Sequence, residues 1–298
     1  SAANSGTVGN ALLHFDSQAI TIYRAFNTLD GAENGADNAS YMNATDLVAN
    51  NYQLHIACYA NGTTADSTAV TIDGWTTGAN NYIHIFTPVA SSEVGTTQRH
   101  SGVWNTSAYY ISVASEAGIT VQDQYVDLSG LQIYVSAATT LDDSTIWVTE
   151  QSAGWKLWVS NCILRGAGAA DFWHRGIEVD ETNSSGTVDV SKGIIYDFIS
   201  SVTGAGFYMQ NAEGYIYNST VFNCGLGYRN HSGTVTVKNC IAQDCGDGYS
   251  GTFTAASDYN ISDLGTTDAN SANNTFSGYR TVTFLDESSD DFHLAITD

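Results

Sequence analysis

Four side chains that can transfer protons or carry charge lie close together in the middle of the sequence: Arg165, His174, Glu178 and Asp180. Glu178 and Asp180 are two positions apart, and on a β-strand such residues point to the same side. Paired carboxylates on one face suit acid–base chemistry or a metal ion, and a histidine beside them could act as a base. We therefore predict these four residues as the catalytic set if the protein is an enzyme. The alternative is a solvated strand face beside a loop anchored by ion pairs.

A second group of carboxylates lies near the C-terminus and contains Asp286, Asp290 and Asp291. Carboxylate oxygens are ligands that Ca²⁺ prefers, so these three residues could bind calcium. The glycine–aspartate repeats of calcium-binding β-rolls are missing, and an acidic, solvated surface is the alternative. No other cofactor is expected.

Aromatic residues form a third candidate set. Trp155 and Trp158 fall in one short segment, and Tyr215 and Tyr217 follow later in the chain. If these rings point outward, they would form a platform for stacking sugar rings or a contact face for another subunit. If they point inward, they fill the core. We predict the four residues as ligand-binding and leave the core alternative open.

The elements that carry these residues come from a repeat. The segments Ser160–Ile163, Tyr217–Thr220 and Lys238–Ile241 can be laid on one another with the same residue types in the same places. The shared turn position is occupied in order by Ser129, Asn161, Lys192, Asn218, Asn239 and Asp258, at spacings of 32, 31, 26, 21 and 19 residues. A drifting period in this range is typical of solenoids.

Each repeat consists of three short β-type runs and turns, which is one coil of a β-helix. Stacked coils place equivalent residues about 4.8 Å apart. Asn161, Asn218 and Asn239 would then share a corner, because asparagine tolerates the left-handed backbone conformation. Cys224 and Cys245 would also stack, either as a disulfide or as a buried pair of free thiols.

The first 50 residues differ from the rest and contain the best helix candidate, Met42–Ala49, with Asn or Thr as its N-cap. After it come short strand candidates separated by Gly, Asn, Asp or Ser. They include 53–58, 69–72, 82–86, 109–113, 118–121, 125–128 and 131–135. We predict an N-terminal arm and capping helix over 1–50 and a β-helix over 51–298.

The motifs Val159-Ser160-Asn161-Cys162 and Val237-Lys238-Asn239-Cys240 resemble the rhythm of right-handed parallel β-helix proteins of the pectate-lyase-like superfamily. The ending from Phe284 to Leu294 is similar to the last coil of many secreted bacterial members. The stretches 71–75, 82–88 and 99–102 resemble uncharacterised β-helix proteins of environmental bacteria and their viruses. The resemblance covers roughly residues 50–298 and implies an all-β, right-handed parallel β-helix (solenoid) with a short N-terminal helical cap.

The superfamily includes lyases, hydrolases, epimerases, tailspikes, adhesins and structural fibres, so the resemblance constrains the fold far more than the function. Its polysaccharide lyases use calcium held by carboxylates together with an Arg or Lys base. By resemblance, the groove would lie near Arg165–Asp180, and the matching cluster would be Arg165, Asp171, His174, Arg175, Glu178 and Asp180. This chain lacks an aspartate triplet matching the lyase calcium motif.

The composition excludes several partners. With 31 acidic and nine basic residues, the net charge is −22, which is unsuited to nucleic acid or an anionic membrane. Anionic uronate polymers would be repelled, so a neutral glycan is the expected ligand.

We predict a non-enzymatic extracellular structural or adhesive protein, located outside the cell, on its surface or in a virion. It could contact glycans or assemble with itself, head to tail or laterally. The alternative is a polysaccharide lyase or glycoside hydrolase with a groove on the β-helix face.

Overall fold

A computed structural model describes most of the chain. The described residues are 25–89, 97–114, 116–136, 143–149, 153–167, 173–180, 186–200, 204–265, 268 and 279–295. Of the predicted N-terminal arm, the part before Ala25 lies outside the described residues.

Parallel strands form three faces around one core. The first and the third face belong to one 12-stranded sheet, in which the two long strands take part in both faces, and the second face is a separate seven-stranded sheet. For brevity we call each face a sheet. The first, which we call the groove sheet, contains Leu54–Ala57, Ile83–Phe86, Tyr125–Ser129, Lys156–Ser160, Thr187–Ser191 and the second halves of Ala205–Tyr217 and Leu226–Lys238. The second, the hairpin sheet, contains Ile111–Ala114, Gln132–Ser136, Ile163–Arg165, Ile194–Tyr196, Thr220–Phe222, Ile241–Gln243 and Ile261–Ser262. The third sheet contains Val70–Ile72, Ile119–Val121, Asp143–Val148, His174–Asp180, the first halves of the two long strands and Asp247–Gly251.

This topology confirms the predicted fold class, a parallel β-helix. Strands of equivalent position pair in parallel register from coil to coil, for example Ser129 with Ser160 and Ser160 with Ser191. Such pairing stacks residues of like type because each coil cannot bury its inner face alone. The strand alternation of buried and exposed residues follows from the same geometry.

The interior is a single column of apolar side chains with one aromatic stack. The rings of Phe207, Tyr228 and Tyr249 lie on consecutive coils with centroids 5.1 Å apart in both steps. The hydroxyl of Tyr228 donates to the carbonyl of Ser219, and that of Tyr249 donates to the carbonyl of Cys240. Each buried hydroxyl therefore finds a partner in the neighbouring sheet, as burial requires.

The asparagine corner is a column of left-handed residues. Asn161, Asn218 and Asn239 have φ values of 53°, 52° and 55° and follow residues that pair in register. Two predicted members are shifted by one residue. Gly130 (φ 73°) occupies the corner instead of Ser129, and Tyr259 (φ 60°) occupies it instead of Asp258.

Cys224 and Cys245 lie on adjacent coils directly after a second left-handed corner, at Asn223 and Asp244. Both are buried, and both are free thiols. Burial raises the pKa of the Cys224 thiol well above its usual value, which keeps it protonated and unreactive.

Two short helices precede the first coil. Leu29–Gly35 is capped by Thr28, and Leu47–Asn50 is capped by Asp46. The second helix covers only the end of the predicted Met42–Ala49 helix, and the first was not predicted. A tertiary contact anchors this first helix, because the backbone amide of Leu29 donates a hydrogen bond to Asp66 at 2.7 Å.

A C-terminal β-hairpin covers the outside of the hairpin sheet. Its strands, Phe284–Asp286 and Asp291–Leu294, are antiparallel and joined by the 3₁₀ turn Glu287–Ser289. Phe284 and Phe292 pack on Ile163 and Tyr196 in a second, separate hydrophobic cluster. Within the described residues, the hairpin therefore covers the hairpin sheet and leaves the groove sheet uncovered.

Candidate functional site

The outer face of the groove sheet carries a column of polar and aromatic residues at its centre. Every second residue of each strand points outward, so one position per coil contributes to the column. In order along the rod, the column consists of His55, His84, Asp127, Trp158, Asp189, Tyr215 and Thr236. Within it, carboxylates and aromatic rings alternate over four consecutive coils, from Asp127 to Tyr215.

Trp158 is the centre of an aromatic patch. Its ring lies 6.3 Å from that of Tyr82 and 6.4 Å from that of Tyr125, measured between centroids. The Nζ atom of Lys156 lies 5.1 Å from the Trp158 ring, over its face. The three rings are each half-buried, so they present apolar surface to the solvent while their positions are fixed by packing.

Lys156 joins this patch to the next coil. Its Nζ atom lies 2.8 Å from Oδ2 of Asp189, and both side chains are about one third exposed, at 33% and 32%. A pair this exposed contributes little to stability. Its main effect is to neutralise one carboxylate of the column and to fix the lysine beside the Trp158 ring.

Asp127 is the carboxylate on the other side of Trp158. Its Oδ2 atom lies 3.7 Å from Nε2 of His84. Burial raises the pKa of the Asp127 carboxyl, and the positive charge of Arg99 opposes that shift. Asp127 and Asp189 therefore have different electrostatic surroundings although they occupy equivalent positions two coils apart.

The far end of the column is formed by Tyr215 and Tyr217, both half-buried. The Tyr215 hydroxyl donates to Oε1 of Glu213 at 2.9 Å. That hydrogen bond raises the pKa of the Tyr215 phenol, with the Glu213 charge acting in the same direction. This end thus combines aromatic surface with a carboxylate, as the Trp158 end does.

These residues enclose an open groove with a volume of about 780 Å³. It is lined by Ala79, Tyr82, Asp127, Lys156, Trp158, Val159, Ser160, Asp189, Val190, Ser191, Tyr215 and Tyr217. Aromatic faces bind apolar ring faces, and carboxylates accept hydrogen bonds from hydroxyl groups. The groove is chemically suited to a ligand that has both, arranged along the rod.

Three of the four predicted aromatic residues lie in this groove, and Trp155 does not. Trp155 is only 2% exposed and belongs to the core. Its ring occupies the space above Gly186, where a Cβ atom would come within 1.9 Å of it. The prediction for Trp155 is corrected on this ground, since it cannot contact a ligand.

The predicted catalytic residues do not form one site. Arg165 belongs to the hairpin sheet, whereas His174, Glu178 and Asp180 belong to the third sheet. The Arg165 guanidinium pairs with Asp290 at 3.2 Å. It also lies over three aromatic rings, 6.0 Å from the centroid of Trp104, 5.7 Å from that of Tyr134 and 5.5 Å from that of Tyr196. This arrangement holds the hairpin in place, and it separates Arg165 from the other three residues.

The remaining members of that set are held by neighbouring groups. Glu178 is 2% exposed, pairs with Arg175 and accepts a hydrogen bond from Ser144. His174 is 1% exposed, and burial lowers its pKa to about 4. Asp180 accepts a hydrogen bond from Gln210 at 2.5 Å. The two carboxylates do lie on one strand, but Glu178 is occupied by a buried ion pair.

The three acidic residues predicted to bind calcium each have another partner. Asp286 accepts from Ser288 and Ser289 in the hairpin turn. Asp290 pairs with Arg165, and Asp291 lies 2.6 Å from Nδ1 of His293. Within the described ranges, no set of three or more His, Cys, Asp or Glu side chains is arranged to hold a metal ion.

Sequence reasoning missed part of the groove. Tyr82, Tyr125, Asp127, Lys156 and Asp189 were not predicted as ligand-contacting. The alternation of inward-facing and outward-facing residues along each strand is the sequence signal that could have identified them. In each groove strand the residue two positions before the last residue of the strand points outward, and stacking these positions gives the alternating column.

Comparisons with protein-family models, curated proteins and solved structures give no match. In the described part of the chain, no helix has the length and apolar character needed to cross a bilayer. The site is therefore interpreted from its own geometry.

Proposed function

We propose that this protein is a non-enzymatic, extracellular glycan-binding β-helix that holds an uncharged polysaccharide along its groove sheet. Its place would be the extracellular space, the cell surface or a virion. The observation that carries the proposal is the alternation of Asp127, Trp158, Asp189 and Tyr215 on consecutive coils. Each aromatic face can stack on a sugar ring, and each carboxylate beside it can accept hydroxyl hydrogen bonds.

The charge of the site supports an uncharged ligand. Asp127, Asp189 and Glu213 contribute three carboxylates, and Lys156 offsets only one of them. The chain as a whole carries a net charge of −22. A uronate polymer would meet repulsion at the groove and from the rest of the surface.

The test is a binding assay with neutral polysaccharides, using affinity electrophoresis and calorimetry on the wild type and on Trp158→Ala. We expect the wild type to be retarded by at least one neutral polysaccharide and Trp158→Ala to lose most of that retardation. Tyr279→Ala is the matched control, because Tyr279 is exposed and lies outside the groove. Equal retardation of the wild type and Trp158→Ala would refute the groove as the binding site.

One observation favours a second candidate function, glycoside hydrolysis in the same groove. Asp127 and Asp189 flank Trp158, and two strand steps of about 4.8 Å set their backbone positions roughly 9.6 Å apart, at the upper limit for a glycosidase pair. Inverting glycosidases carry carboxyl groups roughly 6.5–9.5 Å apart, one protonated and one ionised. Burial raises the pKa of Asp127, whereas Lys156 pairs with Asp189, which matches that division of roles.

Release of reducing ends decides between binding and hydrolysis. Hydrolysis predicts that the wild type cleaves the polysaccharide that it binds and that Asp127→Asn and Asp189→Asn bind it without cleaving it. Binding alone predicts no reducing ends from any of the three proteins.

A further inference from the structure

We infer that the groove selects an extended, β-1,4-linked chain of uncharged pyranose units, whose disaccharide repeat matches two coils of the rod. This inference rests on the proposed function and narrows its ligand. It depends on the spacing of the groove residues along the rod, rather than on their chemical types alone.

The groove contains the same pair of groups twice. Asp127 and Trp158 are neighbours in the central column, and Asp189 and Tyr215 follow in the same order. We call these pairs the first and the second station. A shift of two coils carries one station onto the other, and adjacent strands lie about 4.8 Å apart, so the backbone positions of the stations repeat every ~10 Å.

Each station is widened by further aromatic residues. Tyr82 and Tyr125 lie beside Trp158 in the first station, and Tyr217 lies two residues beyond Tyr215 in the second. The Lys156–Asp189 ion pair lies between the two aromatic surfaces. A ligand that stacks on both aromatic surfaces must therefore present two ring faces and cross a polar segment between them.

An extended β-1,4-linked pyranose chain has this form. Each unit is turned over relative to the one before it, so every second ring presents the same face and the same hydroxyl groups to one side. The distance between such rings, one disaccharide, is close to the two-coil repeat. An α-1,4-linked chain curves into a coil and leaves a straight column after one or two rings.

Two stations on one rigid rod also predict how affinity depends on ligand length. A short ligand occupies one station at a time. When a longer chain is already bound at one station, its binding to the other station is intramolecular. The overall affinity therefore rises steeply although no new type of contact forms. The affinity should then level off, because Thr236, which follows Tyr215 in the column, presents no ring.

Calorimetric titration tests this with neutral β-1,4-linked oligosaccharides of increasing length, from the disaccharide upward, and α-1,4-linked glucans of the same lengths. We expect the affinity for β-linked chains to rise by about tenfold or more once they span both stations. The α-linked chains should show no such step. Trp158→Ala and Tyr215→Ala should each reduce the affinity for long chains to that for short ones, and Trp158→Phe should keep the step.

The outcomes separate this inference from the proposed function. Binding that is independent of length, equal binding of α-linked chains, or a step that survives Tyr215→Ala would overturn the inference and leave glycan binding in place. If no neutral glycan binds at all, the proposed function and the inference both fail. Circular dichroism of each variant excludes unfolding as the cause of lost binding.

Discussion

The Nζ atom of Lys156 lies 2.8 Å from Oδ2 of Asp189, on the next coil of the rod. This contact joins two coils in the middle of the groove, next to the Trp158 ring. Among the described residues that line the groove, Lys156 is the one with a basic side chain, in a protein with 31 acidic residues.

Replacing Lys156 with methionine should weaken glycan binding with little change in fold stability. The Asp189 charge would lose its partner, and the Trp158 ring would lose the cation over its face, a contact worth about 0.5–1 kcal/mol at exposed sites. We expect the affinity to fall about twofold to fivefold in calorimetric titration. Lys192→Met is the control, because Lys192 is exposed at the asparagine corner. An equal loss in both variants would show that the effect is general electrostatics.

The N-terminal cap should make stability depend on pH. Burial raises the pKa of Glu33 to about 6 and that of Asp123 to about 7. Glu33 accepts a hydrogen bond from the Trp75 indole, and Asp123 accepts one from the Trp75 amide. Since both folded-state pKa values lie above those of the unfolded chain, the contribution of these two carboxyl groups to the free energy of unfolding should fall as pH rises from about 4 to about 7 and then level off.

Asp123→Asn isolates this contribution, because asparagine keeps an acceptor for the Trp75 amide and cannot ionise. We expect the variant to gain stability relative to the wild type as pH rises, on the order of 2 kcal/mol at pH 8. Urea denaturation at several pH values measures it. A difference between the two proteins that stays constant from pH 4 to pH 8 would contradict the raised pKa of Asp123.

Arg165 should act as a clamp for the C-terminal hairpin. Replacing it with methionine removes the pairing with Asp290 and three aromatic contacts. Partly exposed contacts of this kind together contribute about 1 kcal/mol. Amide hydrogen exchange in Phe284–Leu294 should accelerate about fivefold, while glycan binding stays unchanged. Arg280→Met is the control, since Arg280 is exposed. If Arg165→Met lost glycan binding, Arg165 would instead have to be counted among the residues of the binding site.

Gly186→Ala tests the placement of Trp155 in the core. The added Cβ would lie within 1.9 Å of the Trp155 ring, so the ring or the strand must shift, at a cost of about 1–3 kcal/mol. Gly193→Ala is the matched control, because there a Cβ has its nearest neighbour at 3.6 Å. Thermal unfolding should show a clear loss for the first variant and a small change for the second. Equal melting temperatures would place Trp155 elsewhere.

The repeat in the sequence was enough to predict the parallel β-helix and most of its strands. Each coil needs the next one to bury its inner face, so inward positions recur with the same residue types, and corners recur with asparagine. The corner at Asn161, Asn218 and Asn239 has the left-handed backbone that such a repeat requires. The predictions at Ser129 and Asp258 were each displaced by one residue, because glycine and tyrosine take the corner there.

The sequence by itself thus determined the stacking of coils, since that is encoded locally in residues spaced by one repeat. Only the tertiary structure decided which side chains meet on the outside. Trp155 and Trp158 are three residues apart, and this odd spacing along one extended segment points Trp155 into the core, over Gly186, and Trp158 outward into the groove. Arg165 and Glu178 are close in sequence, but their strands belong to different sheets. Contacts between outward-facing side chains depend on where each coil turns. Because the loops differ in length, the spacing of residues in the sequence does not predict the positions of those turns.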